Sequence, residues 1–153
     1  MRYEYIEPFV NTTMRVLDKV IQCDITKGAV SLVKNDTITE DVAIIVRLQG
    51  NADGSIILSM PVDTALGVCS AMFGETYKIL SPAGMDAIAE LANMIAGNTT
   101  SVLNDMGFDF TLSPPLVVTR NHMMGRAFGV EAFHIPLFTE YGEMTINVAM
   151  RTN

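Results

Sequence analysis

The 153-residue sequence predicts a single α+β domain, residues 1–153, in which helices cover one face of an antiparallel or mixed β-sheet. Two segments carry apolar residues at helical spacing, and several short segments rich in β-branched residues read as strands. Both halves of the chain follow the same order, a helix and then three strands, with a short helix between them. The tripeptide Asn-Thr-Thr occurs in both long helical segments, at residues 11–13 and 98–100. Together these observations predict a pseudo-repeat of helix plus three strands.

In the first half we expect a helix, three strands and a second, shorter helix. In chain order they span residues 5–21, 29–33, 42–49, 55–60 and 61–74. Pro8 falls near the first turn of the first helix, where proline is tolerated. Residues 50–54 are rich in Gly and Asn and join the second and third strands as a hairpin. Pro61 and Gly74 are the expected start and stop of the short helix.

In the second half a long helix is expected over residues 81–107, with Ser81 as N-cap, Pro82 at the first helical position and Gly107 as the left-handed stop. Strands and one loop follow it. They are a strand at 108–112, a strand at 116–119 after Pro114-Pro115, an exposed loop at 120–126, and a strand pair at 127–135 and 143–151 that turns near Tyr141-Gly142.

Composition and charge narrow the functional classes. Hydrophobic residues make up 49% of the chain and charged residues 18%, which suits a protein with a full core. A net charge of −7 argues against a nucleic-acid partner, which needs clustered Lys and Arg, but permits a basic protein partner. Cys23 and Cys69 are too few for a disulfide framework. Neither a signal peptide nor an apolar run of membrane length is recognisable, so we expect a cytoplasmic protein with no membrane association.

The long helix has one ordinary face and one unusual face. Its core-facing stripe consists of Ile88, Leu91, Ala92, Ile95, Thr99, Val102, Leu103 and Met106. The opposite line consists of Asp86, Glu90, Asn93, Gly97, Ser101 and Asn104. That line has no basic residue, and Gly97 costs roughly 1 kcal/mol relative to Ala in a helix. The polar face is therefore expected to serve something other than helix stability. Asn98 lies on the flank of the core stripe and is expected to be buried and hydrogen-bonded.

Glu90 and Asn93 are the candidate catalytic residues, because a spacing of three places them side by side on one helix surface. The carboxylate can hold a cation of a partner, and the amide can orient a water without ionising. No nucleophile with its base and no metal cluster is recognisable, and His122 and His134 stand alone in separate segments. The pair would suffice for a reaction whose other groups lie on a partner, such as phosphoryl transfer. Gly97, one turn on, would let a partner's backbone approach this face.

These residues form a recognisable motif. It comprises Asp86, Glu90, Asn93, the pair Gly97-Asn98 and a later proline. The pattern resembles the signature of the CheC/CheX/FliY phosphatases of bacterial chemotaxis, and the length and single motif resemble the CheX type within that family. The Glu-Pro-Phe sequence at residues 7–9 is also similar to the CheX type. The later proline is Pro115 or Pro114, at least one residue earlier than the family pattern.

The resemblance implies a CheC-like fold and hydrolysis of the aspartyl phosphate of a CheY-type response regulator. Glu90 would form a salt bridge with a regulator lysine, and Asn93 would enter the regulator's active site and position the attacking water. Supporting or partner-binding roles would fall to Asp86, Gly97, Asn98 and Pro115. The family carries no cofactor of its own, so Mg²⁺ would belong to the regulator. The resemblance also implies a homodimer that joins its sheets edge to edge.

Two other functions remain open at this stage. The first is a non-catalytic binding or adaptor domain of a two-component or flagellar-switch pathway, which holds a partner on the acidic face. The second is a small-ligand sensor between sheet and helices, for which the apolar composition gives no specific support. If the Asn-Thr-Thr tripeptides are aligned, Glu90 and Asn93 fall opposite Tyr3 and Ile6. The first helix would then lack the polar pair, which leaves one site per chain.

Overall fold

A computed structural model describes residues 3–33, 40–119 and 131–152 and contains three α-helices and eight strands in this range. The helices are α1 (Ile6–Ile21, after a 3₁₀ turn at Tyr3–Tyr5), α2 (Val62–Phe73) and α3 (Pro82–Asp105). The strands are β1 (Thr26–Lys27), β2 (Ser31–Val33), β3 (Val42–Gln49), β4 (Ala52–Met60), β5 (Thr111–Leu112), β6 (Leu116–Thr119), β7 (Ala132–Thr139) and β8 (Gly142–Thr152). The predicted α+β class and all three predicted helices are confirmed.

The strands form one sheet in the order β1-β7-β8-β4-β3-β5, in which β2 also pairs with β7 and β6 with β3. All pairings between the described strands are antiparallel. This order is symmetric between the two halves of the chain. Strands β4 and β8 pair at the centre. The edge strands of the first half, β1 and β2, pair with β7 of the second half, and the edge strands of the second half, β5 and β6, pair with β3 of the first half. The strand order therefore has the predicted pseudo-repeat, with four strands in each half instead of three because each half's edge consists of two short strands, and the two halves share one sheet.

Helices α1 and α3 pack against each other and against one face of the sheet. Fully buried Phe9 and Leu17 from α1 and Leu91 from α3 belong to this main core. A smaller buried cluster lies on the opposite face of the sheet and consists of Ala43, Ile45, Ile57 and Val118. Because successive residues of β3 point to opposite faces, this strand is covered on both sides, as its continuous apolar run predicts.

Several strands differ from the prediction. Two begin later than expected: β2 at Ser31 instead of residue 29, and β5 at Thr111 instead of residue 108. The short strand β1 was missed, β4 begins at Ala52 so that the hairpin turn is shorter than 50–54, and β7 runs past residue 135 to Thr139. The extension of β7 passes through Pro136, which normally argues against a strand interior. Here only its carbonyl is used: the Gly28 N–H donates to the Pro136 oxygen at 2.8 Å. The predicted start of this strand at 127–130 and the loop at 120–126 with His122 lie outside the described residues.

Strands β5 and β6 are two pieces of one edge, separated by residues 113–115. The pairings Leu48↔Leu112 and Ile45↔Leu116 leave these three residues opposite only two of β3, which makes a bulge. Ser113 fixes this bulge, because its N–H donates to the Arg47 oxygen at 3.0 Å and its Oγ accepts from the Arg47 N–H at 2.9 Å. The two prolines of the sequence motif lie in this bulge.

Candidate functional site

Helix α3 carries the candidate residues, and its two ends form as predicted. The Ser81 Oγ accepts a hydrogen bond from the Gly84 N–H at 3.1 Å, with Pro82 in the first turn. At the other end Gly107 has φ +108°, a conformation that favours glycine, and its N–H donates to the Asn104 oxygen at 3.1 Å. The helix is therefore a defined platform, which fixes the spacing of the side chains on its outer face.

The inner face of α3 is largely as predicted. Ile88, Leu91, Ala92, Ile95, Thr99 and Leu103 are buried, and Val102 is half-buried. Met106 was expected on the core stripe, and this is wrong: it follows the last helical residue and is 44% exposed. The expectation that Asn98 is buried is also wrong. Asn98 is exposed, although it is hydrogen-bonded, because its Nδ2 donates to the Met94 oxygen at 2.8 Å.

The outer face of α3 divides into two parts. In its N-terminal part Asp86 and Glu90 are exposed and Asn93 is half-buried. Among the described residues, none of these three side chains forms a hydrogen bond or an ion pair. Glu90 and Asn93 lie one turn apart, so their Cβ atoms are separated by about 5–6 Å. This part of the helix presents an exposed carboxylate and a half-buried amide whose bonding capacity is not used by any described residue.

The C-terminal part of the same face has a structural role. The Asn104 amide is paired with the backbone of Phe110: its Nδ2 donates to the Phe110 oxygen at 3.2 Å and its Oδ1 accepts from the Phe110 N–H at 2.8 Å. The Ser101 Oγ donates to the Gly97 oxygen at 3.2 Å. The sequence pattern alone did not separate Asn104 from Asn93. Asn104 holds the turn from α3 towards β5, so its poor helix propensity has an internal cause.

For Gly97, no contact with a described residue explains why glycine stands in the helix. A Cβ atom built on Gly97 would meet no atom within 4 Å outside its own helix turn. Gly84, the other glycine of α3, is different, because a Cβ there would lie 3.2 Å from Leu80 Cδ1 and 3.4 Å from Cys69 Sγ. Packing among the described residues therefore accounts for Gly84 but not for Gly97. The space beside Gly97 lies on the same face as Glu90 and Asn93.

Pro114 and Pro115 lie at the sheet edge rather than on the helix. Pro114 is exposed and Pro115 half-buried, directly before β6. Helix α3 contacts both β5 and β6, so the bulge lies in the layer beneath the helix. The structure thus brings five of the six predicted site residues together on one helix and leaves the proline on a neighbouring element.

Metal-binding and acid–base groups are sparse in the part of the chain that the structure describes. It contains no group of three or more His, Cys, Asp or Glu side chains that could hold a metal ion. His134 lies on β7, where its Nδ1 is 2.9 Å from the Asn147 Oδ1. Burial raises the pKa of the Cys69 thiol, so at neutral pH it is protonated and donates to the Gly84 oxygen at 3.3 Å. Both side chains have partners away from the outer face of α3.

None of the described helices is long and apolar enough to span a bilayer. The chemistry available on α3 is a fixed negative charge beside an amide that can both donate and accept hydrogen bonds. Such a pair can bind a cation and orient a water, but it supplies no nucleophile or metal.

Comparison with known proteins assigns the family. Residues 42–138, more than half of the chain, match the family model described as "Chemotaxis phosphatase CheX". The chain is 29% identical over 126 residues to the CheY-P phosphatase CheX of Thermotoga maritima, covering 82% of this chain and 81% of that protein.

Solved structures agree with this assignment. A CheX–CheY–BeF₃–Mg²⁺ complex from Borrelia burgdorferi contains a chain that is 30% identical, with a TM-score of 0.83 and coverage of 98% and 99%. The chemotaxis protein CheX from Desulfovibrio desulfuricans is 27% identical, with a TM-score of 0.83 and coverage of 97% and 99%. The matching fold, the polar face of α3 and these relatives lead to one conclusion: the chain belongs to the CheX family of chemotaxis phosphatases.

Proposed function

We propose that this protein accelerates hydrolysis of the aspartyl phosphate of a CheY-type response regulator. The observation that carries the proposal is the Glu90–Asn93 pair on the outer face of α3, whose side chains have no partner among the described residues. Its spacing and chemistry suit a reaction whose remaining groups lie on the regulator. The Thermotoga relative is named a CheY-P phosphatase, and the Borrelia relative was solved bound to CheY, which supports this substrate class.

Asn93 is the proposed catalytic residue. Its amide enters the regulator's active site and orients a water in line with the phosphorus. The water oxygen attacks phosphorus, the bond from phosphorus to the aspartyl oxygen breaks, and the products are inorganic phosphate and the free carboxylate. Positioning of the water can account for a large share of the acceleration, because a phosphoryl transfer needs little covalent chemistry from the protein. The Mg²⁺ in this scheme sits on the regulator; the Borrelia complex contains Mg²⁺ and BeF₃.

Glu90 is the proposed docking residue. As a carboxylate one turn before Asn93, it pairs with a lysine ammonium of the regulator and fixes the approach of α3. Asp86 is a supporting residue one turn further towards the N-terminus, and exposed Asn98 is available for partner contact. Gly97 provides space for the regulator's backbone, which agrees with the empty volume at its Cβ position. Pro115, or its neighbour Pro114, shapes the bulge beneath the helix.

We further propose that the protein is a homodimer joined through sheet edges and that it acts in the cytoplasm, where response regulators work. The sheet has two edges, one formed by β1 and β2 and the other by β5 and β6. Leu32 on the first edge and Leu116 on the second are 53% and 52% exposed. Light scattering of the wild-type protein and of the Leu32→Arg and Leu116→Arg variants tests this. A wild-type monomer at micromolar concentration contradicts the dimer.

The phosphatase proposal is tested by phosphate release from a phosphorylated CheY-type regulator. We expect acceleration by the wild type and loss of it in Asn93→Ala. Asn11→Ala is the matched control, because Asn11 is an exposed asparagine on α1 and lies outside the proposed site. Equal rates for wild type and Asn93→Ala contradict the proposed role of Asn93. Tight regulator binding without any acceleration would instead identify the adaptor function.

A further inference from the structure

We propose that Ile79 is an apolar anchor that seats the regulator at the N-terminal end of α3. This inference rests on the proposed function, whose substrate-binding surface it extends. Ile79 lies in the linker of residues 74–81 between α2 and α3, and 79% of its surface is exposed, the largest value among the large hydrophobic residues that the structure describes. Isolated apolar residues are common on protein surfaces, so exposure alone does not make a binding site. The surroundings of Ile79 carry the inference.

The linker on either side of Ile79 is held by contacts with α2 and α3. The Tyr77 N–H donates to the Ser70 Oγ at 3.1 Å, and the Tyr77 ring contacts Phe73 edge to face, with centroids 5.6 Å apart. On the other side Leu80 packs against the first turn of α3, where its Cδ1 would be 3.2 Å from a Cβ on Gly84. Ile79 therefore stands between two fixed residues. An anchor held in this way loses little conformational entropy on binding.

Ile79 and the candidate catalytic pair lie close together along the chain. The exposed residues between Ile79 and Asp86 that lie on the outer side of α3 are Pro82 and Ala83, neither of which carries a charge. Ile79 lies at most about 11 Å from Pro82 along the chain, and Pro82 lies about 16 Å from Asn93 along the helix axis. A typical protein interface buries about 800 Å² on each partner, which is roughly 30 Å across. An interface centred near Asp86 would include both Ile79 and Asn93.

In this arrangement the Glu90–Asn93 pair and Ile79 have different roles in binding the regulator. The carboxylate and amide at the centre of α3 act on the regulator's charged active site, whereas Ile79 requires an apolar patch on the regulator roughly 20–25 Å from the phosphorylated aspartate. Burial of one large aliphatic side chain at an interface strengthens binding without changing the chemical step. Ile79 is thus a specificity-determining contact rather than a catalytic residue.

The test compares Ile79→Ser with Met106→Ser in the full chain. Met106 is the matched control, because it is also a large exposed hydrophobic residue and lies at the opposite end of α3, roughly 36 Å from Pro82. Phosphate release gives KM and kcat with the phosphorylated regulator, and calorimetry gives the Kd for the regulator carrying Mg²⁺ and beryllofluoride. For Ile79→Ser we expect roughly a tenfold rise in KM and Kd, with kcat within about twofold of wild type. Met106→Ser should leave both constants unchanged.

Each other outcome has a definite meaning. An unchanged KM and Kd in Ile79→Ser, with hydrolysis still lost in Asn93→Ala, overturns the anchor and leaves the proposed function standing. A wild type that binds the regulator without accelerating hydrolysis overturns the proposed function, and weaker binding by Ile79→Ser would then still support the anchor. If Ile79→Ser shifts a dimer to monomer at unchanged regulator Kd, the occupant is a second copy of this chain, and the inference is wrong. Thermal unfolding of each variant verifies that the fold is retained.

Discussion

Helices α1 and α3 hold equivalent places in the two halves of the fold but differ in the face they present. Each begins its half, and the two pack against each other over the same sheet. Alignment of the Asn-Thr-Thr tripeptides places Ile6 opposite Asn93 and Val10 opposite Gly97. Ile6 and Val10 are 2% and 5% exposed, whereas Asn93 and Gly97 are half-buried. At matched positions, α1 closes the core and α3 leaves a polar surface with space beside it.

This difference shows how a nearly symmetric scaffold can hold one site. The topology is shared, so it cannot by itself explain why α3 carries a glycine and an asparagine that weaken a helix. Gly costs about 1 kcal/mol relative to Ala in a helix interior, and nothing within the described chain offsets this at Gly97. In α1 the matched positions carry Ile6 and Val10, whose side chains are buried in the main core. The asymmetry between equivalent helices is therefore a better indication of function than either helix alone.

The largest expected effect on activity comes from replacing Asn93 of α3 by isoleucine, the residue at the matched position of α1. In Asn93→Ile the water-orienting amide is lost, and we expect regulator dephosphorylation to fall at least about 100-fold. Stability should change little, because Asn93 makes no hydrogen bond with another described residue. Phosphate release and urea unfolding measure the two effects. A variant that retains more than a tenth of wild-type activity would contradict the proposed catalytic role of the Asn93 amide.

Glu90 is expected to act on binding more than on the chemical step. In Glu90→Gln the shape is kept and the charge removed, so we expect KM to rise roughly tenfold to a hundredfold, as for loss of a charge-assisted hydrogen bond. Wild-type KM should rise with added salt, and the variant should lose most of this dependence. Steady-state kinetics between low and high ionic strength provide the measurement. A purely kcat effect with unchanged salt dependence would contradict a docking role.

Gly97→Ala separates stability from function on the same face. The open space at its Cβ position and the helix propensity of alanine predict a gain of about 0.5–1 kcal/mol in the free energy of unfolding. Close approach of the regulator predicts a loss of several-fold in kcat/KM, because the added methyl occupies space used by the partner. Urea unfolding and phosphate release are measured on the same preparation. A more stable variant with full activity would show that the space beside Gly97 is not used.

The α3 face also shows what sequence reasoning could resolve. Helical periodicity, Ser81 and Gly107 sufficed to predict the helix and its polar line, because these signals are local. They could not distinguish Asn93 from Asn104, since the partner of Asn104 is the backbone of Phe110 after the helix ends. Asn98 was misplaced because a helical wheel does not show how far neighbouring elements cover the flank of a helix.

The strand errors have the same origin. The predicted strand ended at residue 135, but β7 continues through Pro136, whose carbonyl accepts a hydrogen bond from Gly28 of the other half of the chain. The two-residue strand β1 has no periodicity of its own and exists because β7 offers it a free edge. Similarly, the first N–H of α2 is capped by the distant Asp41, whose Oδ2 accepts from Val62 at 3.0 Å. Contacts between distant segments are not visible in a local pattern.

The smallest predicted effect concerns two buried threonines that occupy matching positions in the repeated tripeptides. Thr13 of α1 and Thr100 of α3 each bury a hydroxyl that has no hydrogen-bond partner among the described residues. The neighbouring Thr99 differs, because its Oγ1 donates to the Ile95 oxygen at 2.6 Å. Valine keeps the branched shape and removes the hydroxyl. We expect Thr13→Val and Thr100→Val to raise stability by about 1 kcal/mol each and Thr99→Val to lower it.

Thr13→Val should give the larger gain of the two. Thr13 borders a small gap whose other lining residues are apolar. These are Phe9, Val10, Ile135, Leu137 and Ile146. A methyl group in place of the hydroxyl adds apolar contacts there, and a gain of about 1 kcal/mol corresponds to a rise of roughly 2–4 °C in Tm for a domain of this size. If both substitutions lower Tm as much as Thr99→Val does, the two hydroxyls are bonded in solution, and the halves do not share an unsatisfied position.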